Sequence, residues 1–120
     1  MTVHDWSRIP IEPLSAGLSR QCIHTSRLTV ARISLAAGSA VPEHRHENEQ
    51  LSTIERGALR FVVAGQEVVV RAGEALEIPP NVPHSAVALE DTVAVDVFSP
   101  LRQDWIRGDD AYLRGGSTRT

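Results

Sequence analysis

The sequence predicts an all-β protein in which antiparallel strands form a sandwich or barrel in a single domain. Seven short runs rich in apolar and β-branched residues recur along the chain, with Gly, Pro, Asn or Asp between them. Those four residue types supply the backbone conformations that tight turns need. No segment has a sustained helical period. Short strands at a spacing of about ten residues, with turn residues between them, are typical of antiparallel sandwiches and barrels.

The predicted elements divide the chain into an arm, a barrel and a tail. Residues 1–19 contain Pro10 and Pro13 and are expected to form an arm over the surface or over a partner subunit. Residues 20–106 are expected to form the barrel, with a short helical turn possible after Pro100. Residues 107–120, which end in GGSTRT, are expected to form a flexible tail. The predicted strands are RLTVARISL (27–35), QLSTIE (50–55), ALRFVV (58–63), EVVVR (67–71), ALEIP (75–79), HSAVAL (84–89) and TVAVDVF (92–98).

Composition narrows the class of protein. A chain of 120 residues with 42% apolar residues can bury one hydrophobic core. Its net charge of −3, without a basic block, argues against nucleic acid or a membrane surface as the main partner. No apolar run approaches the roughly 20 residues of a membrane span, and the N-terminus lacks the layout of a signal peptide. The single cysteine, Cys22, excludes an internal disulfide, so we expect a cytoplasmic protein.

The stretch PEHRHENEQ places His44, His46 and Gln50 at even spacing. Side chains alternate between the two faces of a strand, so these three are expected to point the same way. Three such side chains are unfavourable in a hydrophobic core, because each has polar atoms that need hydrogen-bond partners. A metal ion would satisfy all of them, since imidazole suits late first-row ions and an amide oxygen can complete the coordination.

A fourth ligand is expected from another strand, and His84 is the candidate. It follows the rigid turn residues Pro79, Pro80 and Asn81 at the start of a predicted strand. His4 and His24, in contrast, are isolated and are expected to be ordinary surface or hydrogen-bonded histidines. Glu49, the nearest acid, has the opposite parity and is expected to face outward, although a bulge could shift it into the ligand set.

These residues stand in a frame that resembles the two motifs of the cupin family. The first motif runs from Gly38 through His44, His46 and Gln50 to Gly57, with Gln where Glu is usual. The second runs from Gly73 through Pro79 and Asn81 to His84, with Asn where Gly is usual and Ala88 where Asn is usual. Asn tolerates the left-handed conformation nearly as well as Gly. The resemblance implies a double-stranded β-helix, the antiparallel jelly-roll barrel of cupins, with one ion inside one end and a homodimer.

The neutral side chain of Gln50 affects the expected Lewis acidity of the ion. Three imidazoles and an amide leave a divalent ion its full charge, whereas a carboxylate would cancel half of it. The ion is therefore expected to be a stronger Lewis acid and a poorer match for oxidised iron. Its identity is open, because nickel, zinc, manganese and iron all accept such ligands.

The last predicted strand places Asp96 and Phe98 on one face. A carboxylate on an inward face is costly to bury. Either this face is wet, or Asp96 pairs with an arginine such as Arg102, or Asp96 is a general acid and base beside the metal.

The segments VALED and DVFSP, with Arg102 two residues on, together resemble the small cupins of the pectin-degradation type. These convert 4,5-unsaturated uronate monosaccharides into the linear keto form. The resemblance implies His44, His46, Gln50 and His84 as metal ligands and Asp96, Phe98 and Arg102 as functional residues. Asp96 would move protons, Arg102 would pair with the sugar carboxylate and Phe98 would wall the pocket. Two alternatives stay open: a non-catalytic cupin that binds a sugar or small acid with a metal, and a cupin dioxygenase.

Overall fold

A computed structural model of the chain describes residues 1–115, and the end of the predicted tail lies outside the described residues. All seven predicted runs form strands, which confirms the all-β fold class. The described residues contain ten strands: β1 Glu12–Ser15, β2 Leu18–His24, β3 Thr29–Leu35, β4 Ala40–His44, β5 Glu49–Arg56, β6 Ala58–Val63, β7 Gln66–Arg71, β8 Ala75–Ile78, β9 His84–Ala88 and β10 Thr92–Ser99. One short α-helix, α1 (Gln103–Arg107), and two 3-10 helices, Trp6–Arg8 and Ala111–Arg114, complete the elements.

The strands form two antiparallel sheets. One has the order β1-β2-β3-β10-β5-β8 and the other has the order β4-β9-β6-β7. Strands distant in sequence therefore lie side by side, as where β10 is inserted between β3 and β5. This interleaving is that of a jelly roll. None of the helices in residues 1–115 has the length and apolar character needed to cross a bilayer.

The core lies between the inner faces of the two sheets. Alternate residues of each strand face inward, so β10 buries Ala94, Asp96 and Phe98 while Val95 and Val97 are only half-buried. Apolar residues from both sheets fill the remainder of the core, among them Leu35, Ile54, Leu59, Phe61 and Ile78.

Two turn positions have the backbone conformation that the sequence suggested. Asn81 has φ 63°, the left-handed conformation for which Asn is the best substitute for Gly. Gly57 has φ +89°, and an added Cβ would lie 2.4 Å from the carbonyl oxygen of Asp91. Only glycine fits there, because both the backbone angle and the neighbouring strand exclude a side chain.

The chain ends take part in the barrel more than the sequence suggested. Residues 12–15, assigned above to the arm, form β1 and pair with β2 at the edge of the larger sheet. In the segment assigned to the tail, Leu113 and Asp110 are buried. Strands β2 and β4 were not predicted from the sequence, because their polar side chains obscure the strand pattern. In particular, Pro42 lies in β4, which is an edge strand and can therefore accommodate it.

Candidate metal centre

Strands β4, β5 and β9 and the loop between β4 and β5 bring the predicted ligand residues together. His44 ends β4 and His84 begins β9, and the two are directly opposite across the sheet. Gln50 lies near the start of β5, opposite Phe98 of β10. His46 lies in the loop between His44 and Gln50.

The three imidazoles face a common point. Their nearest ring nitrogens all lie within 4.8 Å of one another. The ring centroids of His44 and His84 are 4.3 Å apart, those of His46 and His84 5.0 Å and those of His44 and His46 5.5 Å. Two ligands each about 2.1 Å from one ion at a tetrahedral angle stand about 3.4 Å apart, so ligation needs the nitrogens to approach by at most about 1.4 Å.

Each ring has its Nδ1 bonded to a backbone carbonyl. His44 Nδ1 donates to Pro42 at 2.8 Å, and His84 Nδ1 donates to Val82 at 2.8 Å. His46 Nδ1 donates to Asn48 at 3.0 Å. A carbonyl oxygen can only accept, so Nδ1 carries the proton in all three rings and Nε2 keeps its lone pair in the neutral form. This is the usual arrangement of metal-binding histidines.

Burial keeps these imidazoles neutral. It lowers the pKa of both His44 and His46 to about 4 and also lowers the pKa of His84. The Nε2 of His84 is buried without a hydrogen-bond partner. A buried lone pair without a donor is costly, so the three rings suit a cation better than a proton.

The amide of Gln50 lies beside the same point. Its Nε2 donates to Ser52 Oγ at 2.9 Å, and its Oε1 lies 3.1 Å from Nε2 of His46, whose proton is on Nδ1. In this orientation the amide oxygen presents a lone pair beside that of His46, where one metal ion would be bound by both. The donor set of three imidazoles and one amide thus fits a divalent transition metal.

Asp96 lies in a small cavity beside this cluster. The cavity has a volume of about 60 Å³ and is lined by His44, Gln50, His84, Asp96 and Phe98 together with apolar side chains. Asp96 is only 8% exposed and forms no ion pair among the described residues. Burial raises the pKa of Asp96 to about 7, although Ser52 and Arg102 act to lower it. Its Oδ1 has no hydrogen-bond partner. The face is therefore not wet, and Asp96 is not paired with Arg102.

Arg102 lines the same cavity but is held by other groups. It is 1% exposed, and its Nε and Nη2 donate to the two carboxylate oxygens of Asp104 at 2.9 and 2.7 Å. Its Nη2 also donates to the hydroxyl of Tyr112 at 3.0 Å, and its Cζ lies 4.8 Å from the ring centroid of Phe98. Asp104 therefore occupies the Nε and Nη2 edge of the guanidinium, whereas Nη1 forms no hydrogen bond within the described residues.

Sequence reasoning missed three further residues that line the cavity: Arg20, Trp105 and Tyr112. Tyr112 packs on His44 with ring centroids 4.6 Å apart, and Trp105 packs on Phe98 at 5.1 Å. Arg20 had a signal in the sequence, because it shares parity with Leu18 and Cys22 on β2 and so faces inward. The two aromatic residues had none, because they lie beyond the predicted strands. Glu49 is exposed and outside the histidine cluster.

Replacing Asp96 by Asn is expected to remove a pH-dependent cost from the metal-free protein. The folded-state pKa of Asp96 is raised from 3.8 to about 7. The stability linked to its protonated form is therefore present below the ordinary pKa and lost as the pH rises through the folded-state pKa. Asn does not ionise. The free energy of unfolding of the variant, relative to that of the wild type, should therefore increase by about 2 to 3 kcal/mol from pH 5 to pH 8. Urea unfolding of both metal-free proteins measures this difference, in which the shared histidine titrations cancel; a constant difference would contradict the raised pKa.

Both the sequence and the structure of the chain are similar to those of known cupins. The family model of the cupin domain matches residues 31–99. The chain is 30% identical to the pectin degradation protein KdgF of Dickeya dadantii (strain 3937) over 100 residues, which are 81% of this chain and 91% of that protein. Its structure is similar to that of an RmlC-like cupin from Shewanella frigidimarina NCIMB 400, with a TM-score of 0.82 and 29% identity over 88% of this chain and 96% of that one. It is equally similar to KdgF from Halomonas sp., with a TM-score of 0.82 and 27% identity over 88% of this chain and 98% of that one.

Proposed function

The chain belongs to the cupin family, and from that premise we propose that it is a metal-dependent enzyme that opens the ring of 4,5-unsaturated uronate sugars to give their linear keto form. The observation that carries the proposal is the presence of two features side by side in the barrel. Three imidazoles face one point, and a buried carboxyl with an unpartnered oxygen lies beside them. The similarity to two KdgF proteins supports the choice of substrate class.

The proposed metal ligands are His44, His46, Gln50 and His84. Their Nε2 atoms and the Gln50 Oε1 carry the free lone pairs described above. A divalent ion bound there would supply Lewis acidity toward a sugar oxygen, and the neutral amide would leave its charge undiminished. Which of nickel, zinc, manganese or iron is bound depends on availability as much as on the ligands.

Asp96 is the proposed general acid and base. In the metal-free protein, burial raises the pKa of Asp96 to about 7, close to the neutral range in which a carboxyl both accepts and donates protons. As a carboxylate it would accept the proton of the anomeric hydroxyl while the bond from the anomeric carbon to the ring oxygen breaks. As a carboxylic acid it would then return that proton to C4 of the enolate, so that C5, which carries the former ring oxygen, becomes the ketone. Atoms and electrons balance, because the product is an isomer of the substrate.

Phe98 and Arg102 are proposed to shape the pocket. Phe98 is 2% exposed and packs edge-on against His46, so it keeps water from that side of the imidazole. Arg102 provides a fixed positive charge at the cavity wall, which favours the ionised form of Asp96 against burial. Through its bonds to Asp104 and Tyr112, Arg102 also holds the C-terminal segment over the barrel opening.

The test is incubation of the metal-loaded protein with the unsaturated monomer from a pectate or alginate lyase digest. The carbon–carbon double bond conjugated to the carboxylate absorbs in the ultraviolet and is lost in the keto product. We expect the absorbance to fall in proportion to enzyme and to stay constant after metal removal by a chelator. Unchanged absorbance with tight sugar-acid binding would replace the proposal by a non-catalytic binding module. Oxygen uptake would replace it by a dioxygenase.

The predicted sugar-acid ligand fits this proposal. The predicted homodimer and cytoplasmic location stay predictions from the sequence.

A further inference from the structure

Arg20 is a buried arginine with an unsatisfied donor inside the cavity. It is 3% exposed and lies on β2. Its Nε donates to Glu12 Oε1 at 3.2 Å, and its Nη2 donates to Asp110 Oδ2 at 2.5 Å. Its Nη1 is buried and has no hydrogen-bond partner. A buried charged donor without an acceptor is costly, so a ligand that supplies an acceptor would gain this free energy on binding.

The unsatisfied atoms of the described residues converge on one space. The buried side-chain polar atoms without partners are Nη1 of Arg20, Nε2 of His84 and Oδ1 of Asp96, and all three residues line the same cavity. His84 needs a cation and Asp96 can exchange a proton with a hydroxyl group. Arg20 adds a third requirement, which is a hydrogen-bond acceptor close to its Nη1.

The backbone of Arg20 lies at a different level of the inner face from the residues that ligate the proposed metal. Arg20 is opposite Ile33 on β3, and Ile33 is opposite Ala94 on β10. Asp96 is the next inward-facing residue of β10 after Ala94, and Phe98, opposite Gln50, is the one after that. Passing from the histidine end of the barrel, the inner face thus presents Gln50, then Asp96, then the level of Arg20. The side chain of Arg20 reaches from that level to Trp105 and Asp110, so its guanidinium lies against the C-terminal segment.

The guanidinium of Arg20 is held in place by three groups. Its Cζ lies 4.3 Å from the ring centroid of Trp105, while Asp110, which is 0% exposed, fixes one edge. Glu12 fixes the Nε side from β1. A guanidinium that is already ordered loses little entropy when it binds. Its positive charge favours a charged acceptor over a hydroxyl. Asp104 holds Arg102 through Nε and Nη2, and Arg20 is the cavity arginine whose unpartnered Nη1 is fully buried.

We propose that Nη1 of Arg20 binds the carboxylate of the sugar acid while the anomeric end of the sugar faces Asp96 and the histidines. The inference rests on the proposed function for its ligand class. It makes Arg20 a specificity residue that distinguishes acids from neutral sugars. The arm and tail segments then have a role in recognition, because Glu12 and Asp110 position the guanidinium.

The experiment compares an acid with its neutral counterpart. Titration calorimetry measures the binding of galacturonate and of its methyl ester to metal-loaded wild type and to R20Q. The wild type is expected to bind the acid about 10- to 100-fold more tightly, as a charge-assisted hydrogen bond in a buried site predicts. R20Q should lose this preference while its affinity for the ester changes little. A general folding defect would instead weaken both ligands equally.

The matched control is R114Q. Arg114 pairs with the same two acids, Glu12 and Asp110, but is 43% exposed and does not line the cavity. R114Q should therefore keep the preference for the acid. If R20Q does not fold, R20K decides the question, because its ammonium can pair with Asp110 but cannot serve both acids and a ligand. We expect R20K to lower the preference about 5- to 10-fold.

The outcomes separate this inference from the proposed reaction. Retention of the acid preference in R20Q overturns the inference, as does a wild type that binds both ligands equally or binds neither. If the wild type consumes the unsaturated monomer and R20Q keeps the preference, the inference alone fails. If Arg20 carries the preference and the absorbance of the unsaturated monomer does not change, the reaction alone fails.

Discussion

Replacement of His84 by Ala is expected to abolish metal binding. The imidazole is the one proposed ligand contributed by β9, and its buried Nε2 has no other partner. The remaining ligands lie within the single segment 44–50, which cannot surround an ion by itself. We expect the affinity for a divalent metal to fall by more than about 100-fold, because loss of a supporting group alone costs 10- to 100-fold. Elemental analysis after dialysis measures the metal content per chain.

The control for this variant is His4→Ala, which removes an exposed histidine outside the cluster. It should bind as much metal as the wild type. Turnover of the unsaturated monomer by His84→Ala should fall to background in parallel with its metal content. A His84→Ala protein that is fully metallated would refute the proposed ligand set.

Replacement of Asp96 by Asn is expected to abolish turnover while keeping the metal and the fold. Asn has nearly the same shape and cannot accept and return a proton. General acid–base catalysis contributes typically 100- to 10,000-fold, so we expect kcat to fall within about that range. Steady-state assays by ultraviolet absorbance give kcat, and elemental analysis confirms that the metal is retained.

Glu49→Gln is the matched control, because it also neutralises a carboxylate beside the site, on β5, but one that is exposed. It should keep both metal and turnover, as expected if Glu49 is neither a ligand nor a base. Full turnover by Asp96→Asn would reject the acid–base role. Metal loss by Glu49→Gln would favour the alternative in which Glu49 is a ligand.

Local patterns in the sequence carried the prediction of the strands and of the metal-ligand candidates. Each of the predicted runs alternates or is continuously apolar, and a turn residue limits it. This local information is enough to place β3 and β5 to β10. The even spacing of His44, His46 and Gln50 and the turn before His84 identified four side chains that the fold brings to one end of the barrel.

The elements that the sequence did not reveal are those whose stability comes from long-range contacts. β1 and the 3-10 helix Ala111–Arg114 have weak patterns of their own. They are held by ion pairs such as that between Arg20 and Asp110, which are 90 residues apart in sequence. The position of Arg102 also depends on a distant strand, because its backbone N–H donates to Thr29 Oγ1, 73 residues away in sequence, at 2.9 Å.

The sequence by itself determined the β architecture and the residues that can hold a cation, because strand periodicity and ligand spacing are properties of short segments. Only the tertiary structure decided which charged groups remain free for a ligand. Asp104 holds one edge of Arg102, whereas Arg20 keeps a fully buried donor without a partner and Asp96 a buried oxygen without one. The reason is physical: whether a buried charge is satisfied depends on every neighbour within hydrogen-bond distance, and those neighbours come from strands and helices far apart in the chain.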